Sequence, residues 1–161
     1  MRRIALITLA AALLSGCAIS TPFRRVTPPD VALPSTMAVS VTYASVRADR
    51  RADFDDYTRR VLATLPGQPG LIGWSVRRQI IGHEVWTMTV WQDEASRARF
   101  VDSPAHRAAI ASALPMVERV RFARLQLGPG DLPLGWPQAL AALDAAGRAY
   151  PAPARPDSPA P

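Results

Sequence analysis

The stretch that decides the fold runs from Glu84 to Leu114 and reads EVWTMTVWQDEASRARFVDSPAHRAAIASAL. Val85, Thr87, Thr89 and Trp91 alternate with Trp86, Met88 and Val90, and this run of mostly β-branched and aromatic residues predicts a strand with two different, largely buried faces. Asp93 predicts the start of a helix, because its carboxylate can accept hydrogen bonds from the free amides of a first helical turn. Ser103 and Pro104 predict a break and a second helix from about Pro104 to Leu114, since Ser caps helices and Pro is tolerated at their first position.

Three further strands and one helix flank this stretch. The strands are predicted at Met37 to Val46, Leu71 to Ile80 and Val117 to Leu127. Phe54, Tyr57, Val61 and Leu65 recur at helical spacing between the first two of these strands, and residues 81–84 read as the turn of a hairpin. The resulting order, β-α-β-β-α-β, predicts an α+β class domain, a ferredoxin-like sandwich with its helices on one sheet face. We expect a second copy to cover the other, apolar face by two-fold symmetry.

Residues 1–16 are predicted to be an export signal. Two arginines precede an apolar run that is too short to span a bilayer, and the run ends in Leu14-Ser15-Gly16-Cys17. This tetrapeptide resembles the lipobox of bacterial lipoproteins, which implies lipidation of Cys17 and cleavage before it. An uncleaved signal anchor is the alternative. Ala18 stands where an inner-membrane lipoprotein would have Asp, so the resemblance implies the outer membrane, facing the periplasm.

Composition divides the rest of the chain. Residues 17–36 are rich in Pro, Ser, Thr and Arg and are predicted to be a lipid-anchored tether, followed by the domain at residues 37–127. Residues 128–149 form an extension with a candidate helix around Pro137, which carries Leu140 and Leu143 on one side. Residues 150–161 are Pro- and Ala-rich and are predicted to be a disordered tail.

The charge pattern excludes several function classes. The net charge is +6 with no lysine, and no basic and aromatic groove motif accompanies it, so we predict no nucleic-acid partner. The sequence has no Gly-rich phosphate loop. One cysteine and two dispersed histidines exclude an internal disulfide and predict no metal site.

A family resemblance covers most of residues 37–127. Thr87, Thr89 and Trp91 end the strand, Phe100 follows, then Ser103-Pro104-Ala105-His106-Arg107, and Pro69-Gly70-Leu71-Ile72-Gly73 precedes it. These motifs resemble the dimeric α/β-barrel superfamily, closest to its antibiotic biosynthesis monooxygenase-like members. The resemblance implies a homodimer in which two sheets close a barrel, and a pocket between each sheet and its helices.

The same resemblance argues against haem degradation. Haem-degrading members have their haem-ligating His where this chain has Ile110, and a Trp where it has Phe100. Their catalytic Asn would fall near Ser40 or Thr42, and the chain contains no Asn. We therefore expect no haem and no other bound cofactor.

His106 is the candidate catalytic residue. At 100 degrees per residue it shares a helix face with Ile110, which points toward the sheet. We predict a ligand pocket there, walled by Phe100, Ile110 and one of Trp86 or Trp91, with His106 as its polar group. A neutral imidazole could exchange a proton with a bound phenol or ligate a metal. The alternative is a histidine at the edge of the core that is hydrogen-bonded to a backbone carbonyl, and tryptophans that serve only the core or a dimer interface.

Two functions remain open. The first is a lipid-anchored monooxygenase that oxidises a small aromatic or quinol-like substrate without a cofactor, in a pocket that positions it and excludes water. The second is a non-catalytic periplasmic lipoprotein that binds a small apolar ligand or is associated with the envelope.

Overall fold

The computed structural model describes residues 17–150 of the chain. Within these residues, seven strands form one sheet: β1 Ala18–Ser20, β2 Arg24–Arg25, β3 Met37–Val46, β4 Leu71–Gln79, β5 Glu84–Trp91, β6 Val117–Leu127 and β7 Arg148–Tyr150. Four α-helices accompany it: α1 Arg51–Thr64, α2 Glu94–Val101, α3 Pro104–Ala113 and α4 Trp136–Ala146. The long strands lie in the order β4-β5-β3-β6, with β1 and β2 beside β4 and β7 beside β6.

The central strands confirm the ferredoxin-like α+β fold. All strand pairs are antiparallel, and β3 lies between β5 and β6. Val39 and Val41 are fully buried on one face of β3, while Ala38 and Ala44 are buried on the other, as alternation along a two-sided strand requires. The sheet is not closed into a barrel within this part of the chain.

The helices α1, α2 and α3 cover one face of the sheet, which we call the cavity face. Side-chain caps set the break between α2 and α3. Asp93 accepts from the amide of Ser96 at 2.6 Å, and Ser103 accepts from the amide of His106 at 3.2 Å. Pro104 follows at the first position of α3, so the predicted helix break occurs where these capping residues stand.

The other face of the sheet, which we call the sealed face, is covered by segments of the same chain. Ala139 and Leu143 of α4 are 0% and 3% exposed and pack in one core cluster with Met37, Val39 and Val41. Phe23 and Leu33, which precede β3, join that cluster. The expected open apolar face is therefore not found, because the candidate helix of the C-terminal extension docks on it.

The N-terminal segment differs from the predicted tether. Residues 18–20 and 24–25 pair with β4 as short antiparallel strands. The edge of β4 offers unpaired backbone groups with which these residues can form hydrogen bonds. Only five residues take part, so the Pro-rich composition of the segment did not indicate the pairing. Gly73 makes room for it, since a Cβ there would lie 2.6 Å from the carbonyl oxygen of Arg24. The predicted signal peptide, residues 1–16, and tail residues 151–161 lie outside the described residues; Tyr150 ends β7.

Candidate functional site

An inner cavity of about 330 Å³ lies between the cavity face and helices α1 to α3. Its volume is at the lower end of the range for sites that bind small molecules. Large apolar side chains form most of its wall, among them Phe54, Trp74, Trp91, Phe100, Ile110 and Leu114. Short hydroxyl side chains on β3 and β5 form the floor: Ser40, Thr42, Thr87 and Thr89. The cavity therefore suits an apolar ligand with few hydrogen-bonding groups.

Three rings form an aromatic series along one side of this cavity. The ring centroids of Trp91 and Phe100 are 5.0 Å apart, and those of Phe100 and His106 are 4.4 Å apart. Trp91 is 1% exposed and its indole nitrogen donates to the hydroxyl of Thr89 at 2.9 Å. The series runs from the fully buried end of β5 to the start of α3, and His106 is its one titratable member.

His106 is placed to meet a ligand as a neutral base. Burial lowers the pKa of its imidazole, so the ring is uncharged at neutral pH. Its backbone amide is used in the helix cap, but its ring nitrogens form no hydrogen bond within residues 17–150. The alternative of an imidazole bonded to a backbone carbonyl is thus not what the structure has. The ring contacts Phe100 instead and keeps its nitrogens available.

A charged pair borders the cavity at α2. The guanidinium of Arg97, whose side chain is 6% exposed, donates through Nε to Glu94 at 2.7 Å and through a second nitrogen to the other carboxylate oxygen. Arg124 on β6 lies 3.9 Å from the same carboxylate. The bonds from Arg97 lower the pKa of Glu94, and the carboxylate in turn raises that of Arg97. Both groups are therefore charged, and the positive charge of Arg97 is balanced by the carboxylate of Glu94.

A second, outer groove of about 460 Å³ lies between α1 and α3. Four side chains line both the groove and the inner cavity: Tyr57, Val61, Phe100 and His106. Burial raises the pKa of the Tyr57 phenol, so it stays protonated and can donate a hydrogen bond. These four residues form the partition between the groove and the cavity.

The structure brings together most of the predicted site. Trp91, Phe100, Ile110 and His106 all line the inner cavity. Trp86 does not, because it stands five positions before Trp91, an odd number, and alternation therefore places it on the sealed face. There its ring lies 5.7 Å from that of Tyr43 and 5.9 Å from the guanidinium carbon of Arg77.

Sequence reasoning missed several members of the site. Tyr57 and Val61 were recognised only as the apolar side of a helix, and their helical spacing with Phe54 already indicated that they face the sheet. The pairing of Glu94 with Arg97 was readable from their i, i+3 spacing, which places two side chains on one helix face. Neither pattern indicates by itself that a cavity lies beneath.

Two further features concern metals and membranes. No group of three or more His, Cys, Asp or Glu side chains suited to a metal ion occurs among residues 17–150. Over the same residues, no helix is both long enough and apolar enough to cross a bilayer.

Comparison with solved structures supports the fold assignment. A proposed antibiotic biosynthesis monooxygenase from Deinococcus radiodurans superimposes with a TM-score of 0.55 at 13% identity, covering 61% of this chain and 99% of that one. One from Nitrosomonas europaea gives 0.52 at 18% identity, covering 65% and 100%. A proposed monooxygenase from Lactobacillus acidophilus gives a TM-score of 0.52 at 12% identity. The match covers 68% of this chain but only 49% of the Lactobacillus chain. At such identities the likeness shows the fold alone.

One family model matches part of the sequence. No curated protein sequence matches the chain. The family model described as antibiotic biosynthesis monooxygenase matches residues 37–112, which include β3, the helices α1 and α2, and most of α3. Over residues 37–112, the chain is therefore similar to the antibiotic biosynthesis monooxygenase family.

Proposed function

We propose that this domain binds a small aromatic or quinol-like molecule in the inner cavity and oxidises it with molecular oxygen, without a bound cofactor. The observation that carries the proposal is a single neutral imidazole, His106, at the end of an aromatic series in an otherwise apolar cavity. Flat aromatic walls stack against a planar substrate, and the imidazole is the one group there that can accept its proton.

The proposed reaction begins with a proton transfer to His106. Removing the proton from a phenol, or from the enol form of an anthrone-like ketone, leaves an electron-rich anion that can reduce oxygen directly. For a ring CH₂ group, four electrons pass to one O₂: one oxygen atom stays on carbon as a new carbonyl and the other leaves as water with the two hydrogens. The proton held by His106 returns in that water. An apolar cavity favours this step because it excludes bulk water from the anion.

A second candidate is ligand binding without chemistry, and one observation favours it. Arg97, the buried charged group beside the cavity, is already paired with Glu94. That leaves the Tyr57 hydroxyl and the short hydroxyl side chains of the floor to stabilise a developing anion. Such a lining is sufficient to hold and orient an apolar molecule.

Oxygen consumption by the chain from residue 17 onward, carrying Cys17→Ser, separates the two candidates. With anthrone as substrate we expect uptake of one O₂ per anthrone, and His106→Ala should lower kcat/KM about tenfold or more, equivalent to about 1.4 kcal/mol. Arg107→Ala, an exposed neighbour on α3, is the matched control. Saturable anthrone binding without oxygen uptake would favour the second candidate. An His106→Ala variant that melts several degrees lower yet keeps full activity would show a structural histidine.

We further propose that Cys17 is lipidated and that the protein faces the periplasm from the outer membrane. The lipobox-like tetrapeptide supports the modification, and Cys17 is exposed, as an acyl acceptor must be. Two or more acyl chains would hold the protein firmly at a bilayer. Labelling with palmitate in cells tests this: Cys17→Ser should abolish the label and leave an unprocessed precursor. Unchanged labelling of that variant would contradict the proposal.

A further inference from the structure

An exposed apolar patch lies at the hairpin between β4 and β5. Ile80 and Ile81 in the turn are 54% and 61% exposed, and Ile19 on the neighbouring β1 is 53% exposed. They are the three most exposed large apolar side chains in the described part of the chain. Together we call them the isoleucine tip. Exposed isoleucines on adjacent segments indicate a contact surface for an apolar partner.

The isoleucine tip is next to Cys17 in space. The amide of Ile80 donates to the carbonyl of Cys17 at 3.0 Å, and the register of β1 against β4 places Ile19 opposite Arg78. No flexible linker therefore separates residue 17 from the sheet. Anything attached to the Cys17 side chain is held within a few ångströms of the tip.

Hydrogen bonds hold the backbone of the turn in place, so the isoleucine side chains stay exposed to solvent. Arg51 of α1 donates to the carbonyls of Gly82 and of Gln79, the latter at 3.2 Å. The amide of Val46 donates to the carbonyl of His83 at 2.8 Å. Gly82 has a φ of +135°, a conformation that strains other residues and lets the turn close.

The acidic side chain that follows the turn does not oppose an apolar contact. The carboxylate of Glu84 accepts from the Tyr43 hydroxyl at 2.9 Å and from the Gln79 amide at 3.0 Å, so it turns toward the protein. Exposed Arg78 stands opposite Ile19 on the neighbouring strand and also forms an ion pair with Asp55 of α1 at 3.3 Å. Arginine next to exposed aliphatic side chains suits a surface with anionic head groups over an apolar layer.

We infer that the isoleucine tip is a membrane-contacting surface that holds the domain against a phospholipid bilayer at residue 17. The proposed occupant, a bilayer, follows from the sequence, because the apolar segment of residues 4–14 stands three residues before Cys17. Lipidation of Cys17, or retention of that segment as an anchor, would in either case place the bilayer at residue 17. The inference rests on the proposed attachment there. Attachment makes the contact intramolecular, so three isoleucines suffice to orient the domain although they would bind vesicles weakly alone.

Hydrogen exchange of the anchored protein tests the contact. The chain from residue 17 is coupled through its one thiol either to a maleimide lipid in phosphatidylethanolamine and phosphatidylglycerol vesicles or to a soluble maleimide polymer. On vesicles we expect the amides of residues 81–83 to exchange about tenfold more slowly than on the polymer. Ile80→Asn with Ile81→Asn should remove the difference, and Val31→Asn, at another exposed apolar residue, should leave it unchanged.

Several outcomes would overturn the inference. Equal exchange on vesicles and on the polymer would show that the tip stays in water. Slowing that survives the double substitution would reflect shielding by head groups without apolar contact. Slowing on the polymer that grows with protein concentration would assign the tip to a protein partner. Because coupling is chemical, the result is independent of palmitate labelling, so failure of lipidation in cells and failure of this contact are distinguishable.

Discussion

Burial of one imidazole links stability to pH at the scale of a single residue. The pKa of His106 is lowered in the folded state from the usual value of about 6.5 that applies when the chain is unfolded. Between the folded and the unfolded pKa of His106, the unfolded state therefore binds more protons than the folded state. The stabilisation that comes from keeping His106 neutral is fully present above pH 6.5 and is lost as the pH falls through the folded pKa.

Denaturant titrations across this range provide the measurement. We expect the free energy of unfolding to fall more steeply between pH 7.5 and pH 5 in the wild type than in His106→Phe, which has no proton to gain. His83→Phe removes the other histidine, which is exposed in the hairpin, and serves as the control. An equal pH dependence in the wild type and in His106→Phe would refute the assignment of the effect to this imidazole.

At the scale of elements, α4 is the helix that completes the core. The indole nitrogen of Trp136, at the start of α4, donates to the buried hydroxyl of Ser75 at 3.0 Å. Arg121 on β6 donates to the carbonyl of Leu143, near the end of α4, at 2.8 Å. Ala139 and Leu143 lie between these two hydrogen bonds, against the sealed face. The helix is thus held at both ends and its small and medium-sized residues fill the space above β3.

Truncation of a side chain in α4 should therefore be costly. Leu143→Ala is expected to lower the free energy of unfolding by about 3 kcal/mol, because it leaves a cavity over the sheet. Leu140→Ala, on the same helix but half-buried, should cost clearly less. Denaturant unfolding of both variants gives the comparison. Equal and small losses would mean that α4 contributes little to the core.

At the scale of the whole molecule, the segments that cover the sealed face determine whether a second copy of the chain can pack on the sheet. Dimerisation through this face remains a prediction, and α4 with the segment around Phe23 now occupies it. We expect the chain from residue 17 with Cys17→Ser to sediment as a monomer at tens of micromolar. A chain cut to residues 37–127 should expose the face and dimerise. A dimer of the chain from residue 17 would point to another interface, and a monomeric short chain would count against pairing through the sheet.

Much of the domain was readable from local patterns. Alternation located the four long strands, helical spacing located α1, and the caps Asp93 and Ser103 located the break between α2 and α3. The same patterns indicated that His106 and Ile110 share one side of α3, and the structure has both on the cavity wall. The sequence analysis left either Trp86 or Trp91 as a pocket wall, and the structure has Trp91 there; counting positions along the strand would have separated the two.

What the sequence determined by itself is therefore the order and type of the elements, because these depend on spacing and capping within a few residues. Only the tertiary structure decided what each sheet face meets. The residues that form β1, β2 and α4 carry weak local signals, and their positions depend on contacts with strands far away in the chain. The inner cavity likewise exists because three helices and a sheet fail to fill the space between them, which no local pattern records.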